Sequence, residues 1–341
     1  MNINVIKEFL GEHWAGYRKA LVEALESDSK LLSDINAYLI GSRGKELRPV
    51  LALLAAQICE EVSLEERKIN NESYCCAAVA EMIHTATLLH DDVADNGKIR
   101  HGVPTVVAAF SAAASVLSGD YWLAKALFLL SNRCEKRVLE TYTNTVRELS
   151  VGELIQMEKA ESLNTTESDY YNIIQKKTAS LFVAAVSGGA ISVGASDFYI
   201  DKITEYARQL GLAFQIRDDI FDYSPQLKTG KAAGADILER KLTLPLLCAM
   251  KSAGTVESRK ILDSISTIVD SKLLLSPVRE EDLSVAKEVS RFVLDFGGIE
   301  SAQERLKSHI DKAISCVDVF PDSMAKHYLI SIARYVGERD N

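Results

Sequence analysis

Two acidic clusters carry the spacing that chemistry needs. Asp91, Asp92 and Asp95 close the run IHTATLLHDDVAD at 83 to 95, and Asp218, Asp219 and Asp222 lie in FQIRDDIFDY at 214 to 223. In a helix, residues four apart are related by about 400° of rotation, so Asp91 and Asp95 project from one face, a turn apart. Like charges this close raise each other's pKa unless a cation neutralises them. Hard divalent ions such as Mg²⁺ take oxygen ligands and keep waters that a phosphate group replaces. One such cluster reads equally well as a solvated helix end. A second copy at the end of another apolar segment, where unpaired charge is expensive to bury, points to metal ligation by all six aspartates. Cations accompany them: Arg100, Lys177 in QKKTAS, and Lys231 and Lys241 in TGKAAGADILERKLTLP. Each alone reads as a surface charge, but together with metal-bearing carboxylates they describe a site for a polyanion such as a diphosphate.

The elements that must position these groups are helices. Residues 3 to 40 show two amphipathic helical patterns, with Ile6, Phe9, Leu10, Tyr17, Leu21 and Leu25 at helical spacing. The loop GSRGKELRP places Lys45 and Arg48 at a helix start, with Pro49 tolerated in the first turn. Residues 49 to 60 and 72 to 95 read as buried helices. No proline occurs from Thr105 to Tyr223, so several long helices with short breaks are expected there, one starting at Thr166 with Asp169 three residues on. The stretch 224 to 236, rich in Pro, Gly and Lys, reads as a loop able to fold over a bound diphosphate and exclude water. A second loop is expected near 276 to 282.

The chain of 341 residues is long enough for two domains, but no linker divides it, and it is read as a single domain, 1 to 341. With 47% hydrophobic residues it can form a large core, and its net charge of −9 argues against nucleic acid as a general partner. The opening MNINVIKEFLGEH has acidic residues where a signal peptide needs an apolar core. No uninterrupted apolar run reaches membrane-spanning length, so a soluble protein is expected. The six cysteines, Cys59, Cys75, Cys76, Cys134, Cys248 and Cys316, contain no CxxC, which favours reduced thiols in a cytoplasmic protein over disulfides or a zinc site.

The motifs GKELRP (44 to 49), IHTATLLHDDVAD, RHGVPT (100 to 105), KTASLF (177 to 182), FQIRDDIFDY, GKAAGADILERKLTLP (230 to 245) and GGIESA (297 to 302) run in one order over nearly the whole chain. This ordered set resembles the trans-type polyprenyl diphosphate synthases, whereas a lone DDxxD would be weak. The resemblance implies the all-α isoprenoid synthase fold, a helical bundle in which facing helices bring both acidic clusters to a central cavity, and a homodimer. It implies Mg²⁺, three ions per site. Asp91, Asp95 and Asp218 would bridge through the metal to an allylic diphosphate, such as geranyl or farnesyl diphosphate. Arg100, Lys177, Lys231 and Lys241 would hold its remaining oxygens. Lys45, Arg48, His84 and His101 would hold isopentenyl diphosphate, Thr178 and Gln215 would lie near the allylic cation, and the released diphosphate would take the proton. A class I terpene cyclase shares the acidic sites but needs no second diphosphate site, and a non-catalytic regulatory subunit has no need of two intact clusters.

Two features set this chain apart. Arg100-His101 replaces a pair of arginines, and Glu46 stands where an arginine is common, so isopentenyl diphosphate is expected to bind more weakly at alkaline pH, where His101 is neutral. Ala86 and Thr87, five and four positions before Asp91, are both small, whereas a bulky aromatic there floors the tunnel of short-chain relatives. The tail is expected to pass them and to stop deeper, at Met82, Val79 or Phe128. A medium- or long-chain product, C25 or beyond, is expected, with a C15 or C20 synthase as the alternative.

Overall fold

The N-terminal amphipathic pair forms helices α1 (Ile3–Ala24) and α2 (Lys30–Gly41), begun by the side chains of Asn2 and Ser29, with Ile6, Leu10, Tyr17, Leu21 and Leu25 buried. The computed structural model describes residues 2–42, 44–63, 67–100, 102–223, 234–269 and 279–338. Helix α3 (Leu47–Glu60) starts with Pro49 in its first turn, where the missing N–H breaks no helical bond. Helix α4 (Asn71–Ala94) begins with a reciprocal cap between Asn70 and Ser73. It ends at Asn96, whose φ of 50° is a left-handed conformation that asparagine tolerates better than most residues. Both helices are buried along most of their length.

A two-stranded antiparallel hairpin follows, β1 (Ile99–Arg100) and β2 (Val103–Pro104), with Ile99 opposite Pro104 and Arg100 opposite Val103. The helical reading did not foresee it, because strands of two residues show no periodicity. Next come α5 (Val106–Ala109), α6 (Ala112–Arg133), α7 (Lys136–Ser162) and α8 (Glu167–Ile174), the last opened by the expected cap between Thr166 and Asp169. A π-helical turn, Gln175–Ala179, leads into α9 (Ser180–Ser192), and α10 (Asp197–Asp222) carries the second acidic cluster. The chain continues through α11 (Ala235–Leu238), α12 (Leu244–Ala253), α13 (Thr255–Ser266), α14 (Glu280–Asp295), α15 (Gly298–Cys316) and α16 (Met324–Glu338). The protein is all-α apart from the hairpin.

The chain forms two compact units. The first comprises Met1–Arg147, Leu181–Ala207 and Ile314–Ile332. Its core is α3 and α4 with Trp122, Tyr142 and Phe182. Buried Asn36 accepts from Trp122 Nε1 at 2.8 Å and donates to the Leu25 carbonyl at 2.8 Å, so α2 is tied to α6 with its polar atoms satisfied. Gly189 lets α9 press on α3, since a Cβ there would lie 2.1 Å from the Ala52 carbonyl oxygen. The second unit comprises Glu148–Ser180, Arg208–Ala313 and Ala333–Asn341. Its core joins α12, α13 and α14 through Leu246, Ile261, Ile265, Val289 and Val293.

Helix α6, its apolar run interrupted by Asp120 and Lys125, is the one described helix long and apolar enough by composition to cross a membrane. It buries Ser115, Trp122, Ala126, Leu129 and Leu130 inside the first unit, as a core helix does. All six cysteines are free thiols, and the Cys134 thiol donates a hydrogen bond to Cys75 Sγ at 3.3 Å.

Candidate active site

In the first unit, Asp91 and Asp92 occupy the last turn of α4 and Asp95 is its C-cap. This end of a helix carries its partial negative charge, worth about 0.3–1 kcal/mol against each nearby carboxylate, so three aspartates here require cations. One cation is part of the chain. The hairpin returns Arg100 to α4, where Nη2 and Nε donate to Asp92 Oδ1 at 2.8 and 3.1 Å. Thr105 secures the hairpin by donating to the Gly97 carbonyl at 2.6 Å, and Tyr38 donates to the Pro104 carbonyl at 2.6 Å. Asp92 is buried and engaged by Arg100: its carboxylate faces an arginine, about 100° round the helix from Asp91. Arg100, assigned above to diphosphate, makes this pair in the structure.

The same arrangement recurs in the second unit, where Asp218, Asp219 and Asp222 lie in the last two turns of α10. Asp219 is buried, accepting from Tyr170 Oη at 2.6 Å and from Gln215 Nε2 at 2.8 Å. Burial, then Asp236, then Asp218 push its pKa up to about 8 despite those two donors. Asp222 accepts from the backbone N–H of Ala235 and of Asp236, both at 3.0 Å, and so holds the start of α11. Asp219 and Asp222 thus each accept two hydrogen bonds from protein donors.

Gln215 also accepts from Thr178 Oγ1 at 2.7 Å, joining α10 to the π-helical turn that carries Lys177. Two glycines press neighbours onto that turn. A Cβ on Gly152 of α7 would lie 2.8 Å from Lys176 Cβ, and one on Gly211 of α10 would lie 2.6 Å from Ala179 Cα. Lys177 pairs with Glu153, Lys176 with Glu148 and Lys241 with Glu239. None of these carboxylates, nor Tyr170, was singled out in the sequence. The one available signal was the acidic residues preceding the lysines, which by themselves read as ordinary surface charge. Lys231 and His101 lie outside the described residues, as does most of the 224 to 236 loop.

The residues assigned to isopentenyl diphosphate lie in the first unit. Lys45 is exposed at the entrance to α3, and Arg48, in the first turn, lays its guanidinium 4.7 Å from the centroid of the Phe182 ring. His84 is half-buried on α4, and its carbonyl accepts from Thr87 Oγ1 at 2.8 Å. Ala86, Met82 and Val79 are buried on the same helix and Thr87 is half-buried. Phe128 is 62% exposed on α6, so it does not fill the interior of its own unit.

Among the described residues, no three His, Cys, Asp or Glu side chains converge on one metal position. Paired carboxylates without a third protein ligand suit Mg²⁺, which fills its octahedron with water and phosphate oxygens rather than with an all-protein cage. The residues present thus fit the ion that the motifs imply.

Carboxylates gathered at the electrostatically unfavourable ends of two helices suit a divalent cation. The family is specific: residues 29–272 match the family model described as polyprenyl synthetase. Octaprenyl diphosphate synthase of Escherichia coli (strain K12) is 35% identical over 341 residues, covering all of both chains. Among solved structures, a decaprenyl diphosphate synthase from Rhodobacter capsulatus is similar with a TM-score of 0.87 at 31% identity, covering 100% of each chain. A polyprenyl synthase from Caulobacter crescentus CB15, complexed with calcium and isoprenyl diphosphate, is similar with a TM-score of 0.85 at 29% identity, over 100% of this chain and 98% of that one. The chain belongs to the polyprenyl synthetase family and is a prenyltransferase.

Proposed function

We propose that this chain condenses isopentenyl diphosphate with an allylic diphosphate to make a medium- or long-chain all-trans polyprenyl diphosphate. The observation that carries the reading is the pair of acidic clusters ending α4 and α10, where the helix dipole disfavours carboxylates and a bound cation reverses the sign. Asp91, Asp95 and Asp218 would hold Mg²⁺, with three ions per site. The metal, when bound, neutralises charge developing on the departing diphosphate. Asp92, Asp219 and Asp222 act by holding Arg100, Tyr170 with Gln215, and the start of α11. Lys177, Lys241, Lys231 and Arg100 are the cations assigned to the allylic diphosphate. Lys45, Arg48 and His84, with His101, bind isopentenyl diphosphate, and Thr178 and Gln215 offer neutral oxygens to a developing carbocation without capturing it.

The names of the relatives, octaprenyl and decaprenyl diphosphate synthases, support a long product, as do the small side chains of Ala86 and Thr87. Ala113, Val116, Leu117, Ala124 and Phe128 form an exposed apolar stripe on α6, which supports a homodimer. Six cysteines with no CxxC spacing support a reducing, cytoplasmic setting.

Purified protein with Mg²⁺ and farnesyl diphosphate is expected to consume isopentenyl diphosphate, and Asp91→Ala and Asp218→Ala to lose about three orders of magnitude or more in kcat with helical content intact. A hydrocarbon product, no turnover with any allylic primer, or wild-type rates in either variant would overturn the reading.

A further inference from the structure

Glu46 is the residue that charge counting disfavours, since a carboxylate beside Lys45 and Arg48 should repel a diphosphate. The fold turns it elsewhere. Its carboxylate takes Lys7 Nζ at 2.9 Å on Oε2, with Arg18 Nη1 at 3.1 Å and Tyr17 Oη at 2.9 Å on Oε1. The side chain is 7% exposed, whereas the neighbouring Lys45 is exposed to solvent. One negative charge faces two positive ones, so the cluster adds no negative potential to its surroundings, and its hydroxyl and cationic donors satisfy a carboxylate that would otherwise be costly to bury.

Two backbone features serve this cluster. Glu46 has φ 52° and ψ 46°, a left-handed conformation that is strained for a non-glycine residue and persists where surrounding contacts over-determine it. It is the N-cap of α3, so its backbone sets the direction from Lys45 into the turn that carries Arg48. In α1, Gly11 breaks the helix at φ 47° and ψ −115°, with no atom within 4 Å of where a Cβ would stand. Glycine is there for its backbone and not for crowding. The break separates Lys7 from Tyr17 and Arg18, so the donors reach Glu46 from two differently directed halves of α1.

We propose that Glu46 is a positioning residue: anchored to Lys7, Tyr17 and Arg18 of α1, it holds the turn that presents Lys45 and Arg48 to isopentenyl diphosphate. The inference rests on the assignment of those two cations made above. It reverses the expectation from composition. An arginine at 46 adds no useful charge, because it would meet Lys7 and Arg18, leave the cluster and release the turn.

The test is steady-state kinetics of the full chain with Mg²⁺ and farnesyl diphosphate. Glu46→Arg and Glu46→Gly should each raise KM for isopentenyl diphosphate about fivefold or more, with kcat and the KM for farnesyl diphosphate within about twofold of wild type. Glu46→Gly keeps the left-handed turn free of strain and deletes only the anchor. A lower KM in Glu46→Arg would show that charge count governs and overturn the proposal. Parallel loss in every parameter would show a merely structural role and do the same. Where Glu46→Arg fails to fold, Glu46→Gly and Lys7→Met decide, the latter raising the same KM by a smaller factor. Lys45→Ala separates the two levels. If it raises this KM while Glu46→Gly is wild-type, the proposal fails alone. If it leaves KM unchanged, the isopentenyl assignment fails and takes the proposed route with it.

Discussion

Gly211→Ala is a one-carbon change whose sign depends on the close packing of α10 against the π-helical turn. Alanine is favoured over glycine in a helix by about 1 kcal/mol, so in open surroundings the substitution stabilises. Here the added Cβ would lie 2.6 Å from Ala179 Cα and 2.9 Å from Ala179 Cβ, where ordinary contact begins at 3.4 Å. The two segments must separate by about 3.4 − 2.6 = 0.8 Å, against a backbone atom that cannot swing aside, which costs about 1–3 kcal/mol. Gln215 stands one turn along the same face of α10, and its 2.7 Å bond from Thr178 would stretch to about 3.5 Å, past useful geometry, for about 1 kcal/mol more. The losses exceed the propensity gain, leaving about 1–3 kcal/mol of destabilisation. If Thr178 and Gln215 flank the reacting carbon as proposed, catalysis should suffer more than stability, because a shift of about 1 Å in such groups costs about a hundredfold. Urea midpoints and kcat/KM on the same preparation measure both. Gly41→Ala, with nothing within 4 Å of its new Cβ, is the internal control and should gain stability. A Gly211→Ala enzyme as stable and active as wild type would refute the claim that close approach of α10 positions Thr178 and Gln215.

Ala86→Phe should shorten the product, because an aromatic ring on this buried position of α4 cannot share space with a prenyl tail at interior packing density; chromatography of the dephosphorylated products decides, and an unchanged distribution removes Ala86 from the tunnel. Tyr170→Phe removes a donor to a buried carboxylate and should destabilise by about 2 kcal/mol in urea. Its pH dependence has a defined sign: Asp219 has a folded pKa near 8, above its unfolded value, so the stability linked to its protonation is complete in acid and lost as pH rises through 8. The hydroxyl stabilises the ionised form, and the loss in Tyr170→Phe should be larger at pH 9 than at pH 5, measured with a chelator present; equal losses would place the proton elsewhere.

Periodicity and capping made the helices legible. Pro49 sits in a first turn, Thr166 and Asp169 cap reciprocally, and the one-turn spacing of Asp91 and Asp95 survives at the end of α4. What was not legible depends on partners distant in sequence. The six aspartates look alike in a motif, but Arg100 engages Asp92 only because a two-residue hairpin folds back, and Tyr170 engages Asp219 across 49 positions of chain. The π-helical turn has no composition of its own; Gly152 and Gly211 bring α7 and α10 onto it, and neither glycine announces a neighbour. Glu46 is the most instructive case. Charge counting along GKELRP weighs this residue against a diphosphate, yet the left-handed residue places its carboxylate on two cations and a hydroxyl of α1. The sign of a residue's effect on a charged ligand therefore follows from the backbone angle at that residue as much as from its own charge. In this chain that angle converts an apparent repulsion into an anchor.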